Sequence, residues 1–127
     1  MRLHPIAYPA LALSLLATAA PALEIEPEVV AQGLQNPWAV AFLPDGSFLV
    51  TERPGRMRVI DSKGALGQPL SGLPAIAAGG QGGLLDVVLD SDFAQNRTLY
   101  FCYSEPGNNA SNSTALAKAR LSSDQRQ

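Results

Sequence analysis

One segment of the sequence has the composition of a ligand-binding turn: residues 79–83 read Gly-Gly-Gln-Gly-Gly. Four glycines let the backbone approach a ligand closely, because they carry no Cβ. The amide of Gln81 both donates and accepts hydrogen bonds. Composition by itself favours a flexible linker between two structural units, which is the alternative interpretation. Gln81 is therefore the side chain that would carry binding in this segment.

Three aspartates follow this segment closely, and acidic residues at short spacing are candidate calcium ligands. Asp86 lies within an apolar run typical of a strand, and the glycine and closing glutamate of an EF-hand loop are missing. Asp90 and Asp92 are expected to form turns by accepting hydrogen bonds from their own backbone. The sequence therefore predicts no metal site here.

Histidine is nearly absent from the chain, since His4 is its single example. His4 lies in a predicted leader, so the remainder has no imidazole for general-base catalysis or metal binding. Ser-His-Asp triads, Cys-His pairs and histidine-containing zinc sites are excluded on that ground. No Gly-Lys-Ser/Thr and no Gly-x-Gly-x-x-Gly opening a helix occurs. The prediction is that no catalytic residue lies within this chain.

The segments that would position Gln81 read as short strands. Residues 38–43 and 47–52 are apolar runs that flank Pro-Asp-Gly at 44–46, a pattern that predicts a β-hairpin. A third strand is predicted over residues 56–61, where Met57 and Val59 alternate with arginines.

A second cycle of strands begins at Leu84, 46 residues after the first begins at Trp38. Its predicted strands cover residues 84–90, 98–104 and 114–121, the last alternating so weakly that a short helix is the alternative. A repeat of about that length with three or four antiparallel strands is typical of a propeller blade. The predicted fold class is thus all-β, with about two blades of a β-propeller; part of a β-sandwich is the alternative.

The first 22 residues have the order of a secretory signal peptide: Arg2, then an apolar run, then Ala20-Pro21-Ala22. Cleavage after Ala19 and cleavage after Ala22 both fit. A membrane anchor is the alternative, but the run is shorter than the roughly 20 residues that span a bilayer. We expect a secreted or periplasmic product with no membrane span after cleavage. Residues 23–33 then form a linker or first edge strand, and residues 34–127 the propeller-type domain.

Composition and charge limit the fold class and the kinds of binding partner. The 127 residues are 46% hydrophobic and carry a formal charge of −2, with no run of Lys or Arg. A globular fold is expected, and nucleic acid is excluded as a partner because no basic surface is available. Cys102 is the only cysteine, so no internal disulfide forms, and it is expected to be a small buried strand residue.

Two stretches carry a resemblance to a known family. Residues 34–61, LQNPWAVAFLPDGSFLVTERPGRMRVID, and residues 79–105, GGQGGLLDVVLDSDFAQNRTLYFCYSE, occur in that order. They resemble the opening of the soluble aldose sugar dehydrogenases, also called glucose/sorbosone dehydrogenases, which use pyrroloquinoline quinone (PQQ). The resemblance extends from Leu34 to Leu121.

This resemblance implies a six-bladed propeller with quinone and calcium at its top face, and an aldose sugar oxidised to its lactone. It implies that Gln81 contacts the quinone and substrate region, against the linker interpretation. The family's catalytic histidine, calcium ligands and quinone-binding basic residues lie in later segments that this chain does not contain. We therefore expect the chain to be an inactive N-terminal fragment that binds neither PQQ nor calcium tightly.

Val50 to Arg53, the VTER segment, also matches the family, and Glu52 and Arg53 are expected to be a solvated or packing pair near a strand end. The alternative function is a non-catalytic, propeller-type binding module, because a propeller fold does not determine function. The oligomeric state is not predicted.

Overall fold

The structure, a computed structural model, describes residues 23–124. The predicted signal peptide, residues 1–22, lies outside the described residues. Seven strands within the described part form two antiparallel sheets. The strands are β1 (Pro37–Phe42), β2 (Phe48–Glu52), β3 (Arg56–Ile60), β4 (Leu66–Pro69), β5 (Leu84–Leu89), β6 (Thr98–Pro106) and β7 (Asn112–Arg120).

The first sheet has the order β1-β2-β3-β4, and its first hairpin is the predicted one. Gly46 takes a φ of +82°, which closes the Pro-Asp-Gly turn, and the Leu43 amide donates to the Ser47 carbonyl at 2.9 Å. The predicted alternation of β3 is also confirmed, because Met57 and Val59 are buried.

The fourth strand, β4, was not predicted. It pairs antiparallel with β3, with Ile60 opposite Leu66. Its sequence, Leu-Gly-Gln-Pro, lacks the β-branched and aromatic residues that mark strands. Gly67 is needed where it lies, since a Cβ there would be 2.7 Å from the Val59 carbonyl oxygen.

The second sheet has the order β5-β6-β7 and begins 47 residues after β1, since β5 starts at 84 and β1 at 37. Residues 112–120 form strand β7, so the helical alternative for that region is wrong. A four-residue helix, α1 (Phe93–Asn96), lies between β5 and β6, and a 3₁₀ turn (Asn108–Ala110) precedes β7.

The core lies between the two sheets, where one apolar cluster joins them. Leu49 and Met57 come from the first sheet, and Leu84, Leu99 and Phe101 from the second. The opposite, outer side of each sheet is partly exposed and apolar. Its most exposed large side chains include Phe42 and Leu116, each 72% exposed. Cys102 lies on the outer side of β6, is partly buried and forms no disulfide.

These observations confirm the predicted all-β fold class: the described residues form two antiparallel sheets of four and three strands, the arrangement expected for two propeller blades. Residues 23–34 adopt neither helix nor strand. Within residues 23–124, the helices are all too short to cross a membrane.

Candidate functional site

Gln81 lies at the tip of a tight, two-residue turn that leads into β5. Gly79 and Gly82 form an antiparallel bridge: the Gly82 amide donates to the Gly79 carbonyl at 2.8 Å, and the reverse bond measures 3.3 Å. Gly80 takes a φ of +53°, a conformation that glycine adopts without steric cost. The Gln81 side chain is exposed at the tip and makes no hydrogen bond to another residue in the described part of the chain.

On one side, the turn is attached to Ser104 near the end of β6. The Gly83 amide donates to the Ser104 hydroxyl at 3.1 Å, and the Ser104 amide donates to the Gly83 carbonyl at 2.9 Å. The Ser104 carbonyl accepts from the Ala77 amide at 2.8 Å, so this serine bonds to both sides of the turn. A Cβ on Gly82 would lie 2.8 Å from the Ser104 hydroxyl oxygen. The two residues are therefore in direct contact, with no space for a larger side chain.

On the other side, the turn is attached to the first sheet through Arg53. The Leu84 amide donates to the Arg53 carbonyl at 3.1 Å. Gly83 takes a φ of +148°, and a Cβ at this position would collide with the carbonyl oxygen of Arg53. Only glycine fits there, because both the backbone conformation and the contact exclude a side chain.

Arg53 in turn follows a buried carboxylate, Glu52, whose side chain has no exposed surface. The Arg58 Nε donates to Glu52 Oε2 at 3.0 Å, and the Arg56 Nη2 donates to Oε1 at 3.2 Å. The Arg56 Nε also lies 2.9 Å from Oε2, but at an angle too poor for a hydrogen bond. The Gln35 amide donates to the same carboxylate. The predicted pairing of Glu52 with Arg53 is thus wrong.

The physical reason is the register of the hairpin. Glu52 lies opposite Arg56 in the β2–β3 ladder, so both side chains lie on the outer side of the sheet. Arg58 lies two residues further along the same side. Arg53 belongs to the turn after β2, where its amide donates to the Asn36 carbonyl at 3.0 Å.

These contacts bring one end of each sheet next to the turn that carries Gln81. The start of β1, the β2–β3 turn, the glycine turn and the end of β6 meet there. We call this the glycine-turn end. It presents one exposed side-chain amide on a backbone that is attached to both sheets.

The aspartates that suggested calcium lie elsewhere and do not converge. Asp90 and Asp92 follow β5 at the opposite end of the sheet, and Asp86 is exposed on β5. The Asp92 amide donates to the Asp90 carboxylate at 3.0 Å, which confirms Asp90 as a turn former. That bond, and donors from Asn96 and Tyr100, hold the pKa of Asp90 below its ordinary value of 3.8. In residues 23–124, no three His, Cys, Asp or Glu side chains are grouped closely enough to hold a metal ion.

Comparison with known proteins identifies the family. The model of the glucose/sorbosone dehydrogenase family matches residues 34–127. The chain belongs to this family. The resemblance of the two sequence stretches is thereby confirmed.

Curated relatives support the assignment. The chain is 47% identical over 117 residues to aldose sugar dehydrogenase YliI of Escherichia coli (strain K12), which covers 91% of the chain and 31% of that protein. It is 40% identical over 104 residues to the uncharacterized protein slr1608 of Synechocystis sp., covering 76% of the chain and 25% of that protein. The chain thus spans about a third or less of the curated relatives that it matches.

Solved structures of sugar dehydrogenases superimpose on the two sheets. The apo-form of the soluble aldose sugar dehydrogenase from Escherichia coli matches with a TM-score of 0.74 at 47% identity, over 78% of this chain and 29% of that one. The PQQ-bound aldose sugar dehydrogenase from Streptomyces coelicolor matches with a TM-score of 0.66 at 26% identity, over 76% of this chain and 28% of that one.

The glycine-turn end leaves space for a ligand beside Gln81. A Cβ added at Gly79 or Gly80 would meet no atom within 4 Å, so the turn has open space beside it. The Gln81 amide could donate to or accept from the quinone's carbonyl and carboxylate groups. Calcium does not fit the described residues, because they supply no set of acidic ligands.

Two parts of this site were missed by sequence reasoning. Ser104 gave no signal, because its partner Gly83 is 21 residues earlier in the chain. The Glu52 pairing had a usable signal: the tight Pro54-Gly55 turn places residues 52 and 56 opposite each other, and Arg56 and Arg58 then share a side with Glu52.

Proposed function

We propose that this chain is the N-terminal part of a PQQ-dependent sugar dehydrogenase that oxidises aldoses to their lactones. One observation carries the proposal: in a member of the glucose/sorbosone dehydrogenase family, an exposed glutamine stands on a glycine turn that is attached to both sheets. Such attachment suits a residue that must meet a cofactor in a fixed position.

In this proposal Gln81 binds the quinone and the edge of the sugar through its amide, and the open backbone at Gly79 and Gly80 lets them approach. PQQ, when bound, would supply the acceptor for the hydride that leaves the anomeric carbon of the sugar. The proton of the anomeric hydroxyl needs a base, and residues 23–127 contain no histidine. The base, the calcium ligands and the groups that bind the quinone carboxylates therefore belong to a part of the enzyme outside these residues.

Three further elements complete the proposal. Residues 1–22 are a leader that is removed on export to the periplasm, and residues 34–127 are the beginning of a six-bladed propeller domain. Residues 23–127 alone show no turnover and bind PQQ only weakly, because one edge of the site cannot enclose the cofactor. The substrate class is an aldose, by analogy with the family.

The isolated chain provides the first test. The purified chain without residues 1–22 is mixed with PQQ and calcium, and quinone absorbance and dye-linked glucose oxidation are followed. No turnover and no tight binding are expected. Turnover by these residues alone would show that a complete site forms without a histidine, which contradicts the proposed division of the site.

A chimera tests the positive half of the proposal. Residues 34–121 replace the matching segment of the Escherichia coli aldose sugar dehydrogenase, to which the chain is 47% identical. We expect the chimera to bind PQQ and to oxidise aldoses. A folded chimera, verified by circular dichroism and size-exclusion chromatography, that bound no quinone would contradict the proposed role of the segment.

A further inference from the structure

The orientation of Gln81 depends on very few bonds within its own turn. Between Gly79 and Gly82 the turn is held by one pair of backbone hydrogen bonds, of 2.8 and 3.3 Å. An isolated two-residue turn of this kind is marginal in water, because fixing its backbone costs more conformational entropy than two bonds return. What keeps Gln81 in place must therefore come from outside residues 79–82.

Ser104 is the only side chain among residues 23–124 that hydrogen-bonds to the glycine segment 79–83, at its last residue, Gly83. Its hydroxyl accepts from the Gly83 amide at 3.1 Å in a buried setting, with 6% of the residue exposed. The backbone of Ser104 bonds to Gly83 and to Ala77, on the two sides of the turn. The hydroxyl oxygen also occupies the space that a Cβ on Gly82 would need.

We propose that Ser104 is a positioning residue for Gln81: its buried hydroxyl fixes the direction in which the glycine turn presents the glutamine amide. Ser104 touches neither the quinone nor the sugar in this account and acts only through the turn. The inference rests on the proposed function for its biological meaning, since a fixed Gln81 matters because it meets a cofactor.

Alanine at position 104 separates this role from simple packing. Ser104→Ala keeps the two backbone bonds to Gly83 and Ala77 but leaves the Gly83 amide without its acceptor. The turn should then loosen while both sheets stay intact. Ser47→Ala is the matched control, because Ser47 is equally buried, at 5% exposure, and lies at the opposite end of the sheets beside Asp45.

The experiment uses the full chain after removal of residues 1–22 and measures ¹⁵N relaxation and amide hydrogen exchange. In Ser104→Ala, we expect the backbone order parameters of Gly80 and Gln81 to fall from about 0.85 to below about 0.6. Exchange of the Gly83 amide should become roughly tenfold faster. Neither quantity should change in Ser47→Ala.

Two results would overturn the inference. One is an unchanged order of Gly80 and Gln81 in Ser104→Ala. The other is equal acceleration of exchange in every core amide, which would mean a loss of global stability and no specific effect on the turn. If Ser104→Ala does not fold, Gly82→Ala disturbs the same contact from the other side, where its Cβ would lie 2.8 Å from the hydroxyl. It should likewise lower the order of Gln81, and unchanged order there also overturns the inference.

Failure of the proposed function would look different. If Gln81→Ala left quinone affinity of the chimera unchanged, the cofactor role of Gln81 would be wrong. The order parameters of the turn would still report whether Ser104 holds it, because they are measured without quinone.

Discussion

The two ends of the paired sheets are held together in different ways. At the glycine-turn end, backbone groups bond to residues far away in sequence: Gly83 to Ser104, and Leu84 to Arg53. At the opposite end, which we call the aspartate end, aspartate carboxylates accept hydrogen bonds from backbone amides a few residues away. Asp45 does so from Ser47, Asp61 from Lys63 and Ala65, and Asp90 from Asp92.

This difference shows which end can serve a ligand. An aspartate that caps its own turn has its carboxylate occupied and makes the turn locally stable. A turn of glycines that is held by distant partners leaves its one polar side chain available, as Gln81 is. It follows that the glycine-turn end should be more sensitive to substitution, and that the aspartate end should respond mainly to pH.

The largest effect is expected for Gly83→Ala. Its Cβ would collide with the Arg53 carbonyl, and alanine rarely adopts a φ of +148°. The free energy of unfolding should therefore fall by about 3 kcal/mol. The measurement is urea unfolding followed by the fluorescence of Trp38, the one tryptophan.

Gly72→Ala is the control for this substitution. Gly72 has a similar requirement for positive φ, +85°, but no atom lies within 4 Å of its added Cβ. Gly72→Ala should lower the free energy of unfolding by only about 1 kcal/mol. Equal losses at the two positions would mean that the contact with Arg53 contributes nothing, and the comparison of the two ends would fail.

Glu52→Gln should have the next largest effect. This substitution leaves Arg56 and Arg58 without the carboxylate between them. We expect the free energy of unfolding to fall by about 2 kcal/mol. This value lies below that of a fully buried pair because the two arginine side chains are 29% and 17% exposed. Glu105→Gln, at an exposed residue, is the control, and the same urea unfolding measures both. A loss at position 52 no greater than at position 105 would contradict a structural role for the buried carboxylate.

The smallest effect, and the one confined to the aspartate end, concerns Asp90. Hydrogen bonds from Asp92, Asn96 and Tyr100 lower its pKa in the folded state below 3.8. Its carboxylate therefore stabilises the fold above the unfolded pKa, and this contribution is lost as the pH falls through the folded pKa. Asp90→Asn should reduce the loss of stability as the pH falls below about 4.

Unfolding free energies measured across this pH range for both proteins check the prediction. Tyr100→Phe removes one of the donors, of 3.0 Å length, and should give an intermediate curve. Identical pH curves for the unaltered chain and Asp90→Asn would refute the role of this carboxylate.

The sequence predicted the local parts of the molecule well. The Pro-Asp-Gly hairpin, the alternation of β3 and the propeller-like repeat follow from turn chemistry and side-chain period, which act over a few residues. Strand β4 was not predicted, because Leu-Gly-Gln-Pro forms a strand only through pairing with β3.

The candidate site divides in the same way. The binding role of Gln81 was predicted from the resemblance of the surrounding sequence to a family, whereas the composition of the segment favoured a linker. The bonds from Ser104 and Arg53 that hold its turn could not be predicted, since they join residues 21 and more positions apart. Such contacts depend on how two sheets pack, which no local pattern specifies.

The most direct test of the central claim is PQQ affinity in the chimera with Gln81→Ala. Gln68→Ala is the control, because Gln68 is also an exposed glutamine, on strand β4 away from the glycine-turn end. We predict that quinone affinity falls roughly tenfold or more with Gln81→Ala and stays unchanged with Gln68→Ala. Unchanged affinity in Gln81→Ala, in a chimera that binds quinone and oxidises aldoses, would contradict the assignment of Gln81 to the cofactor site.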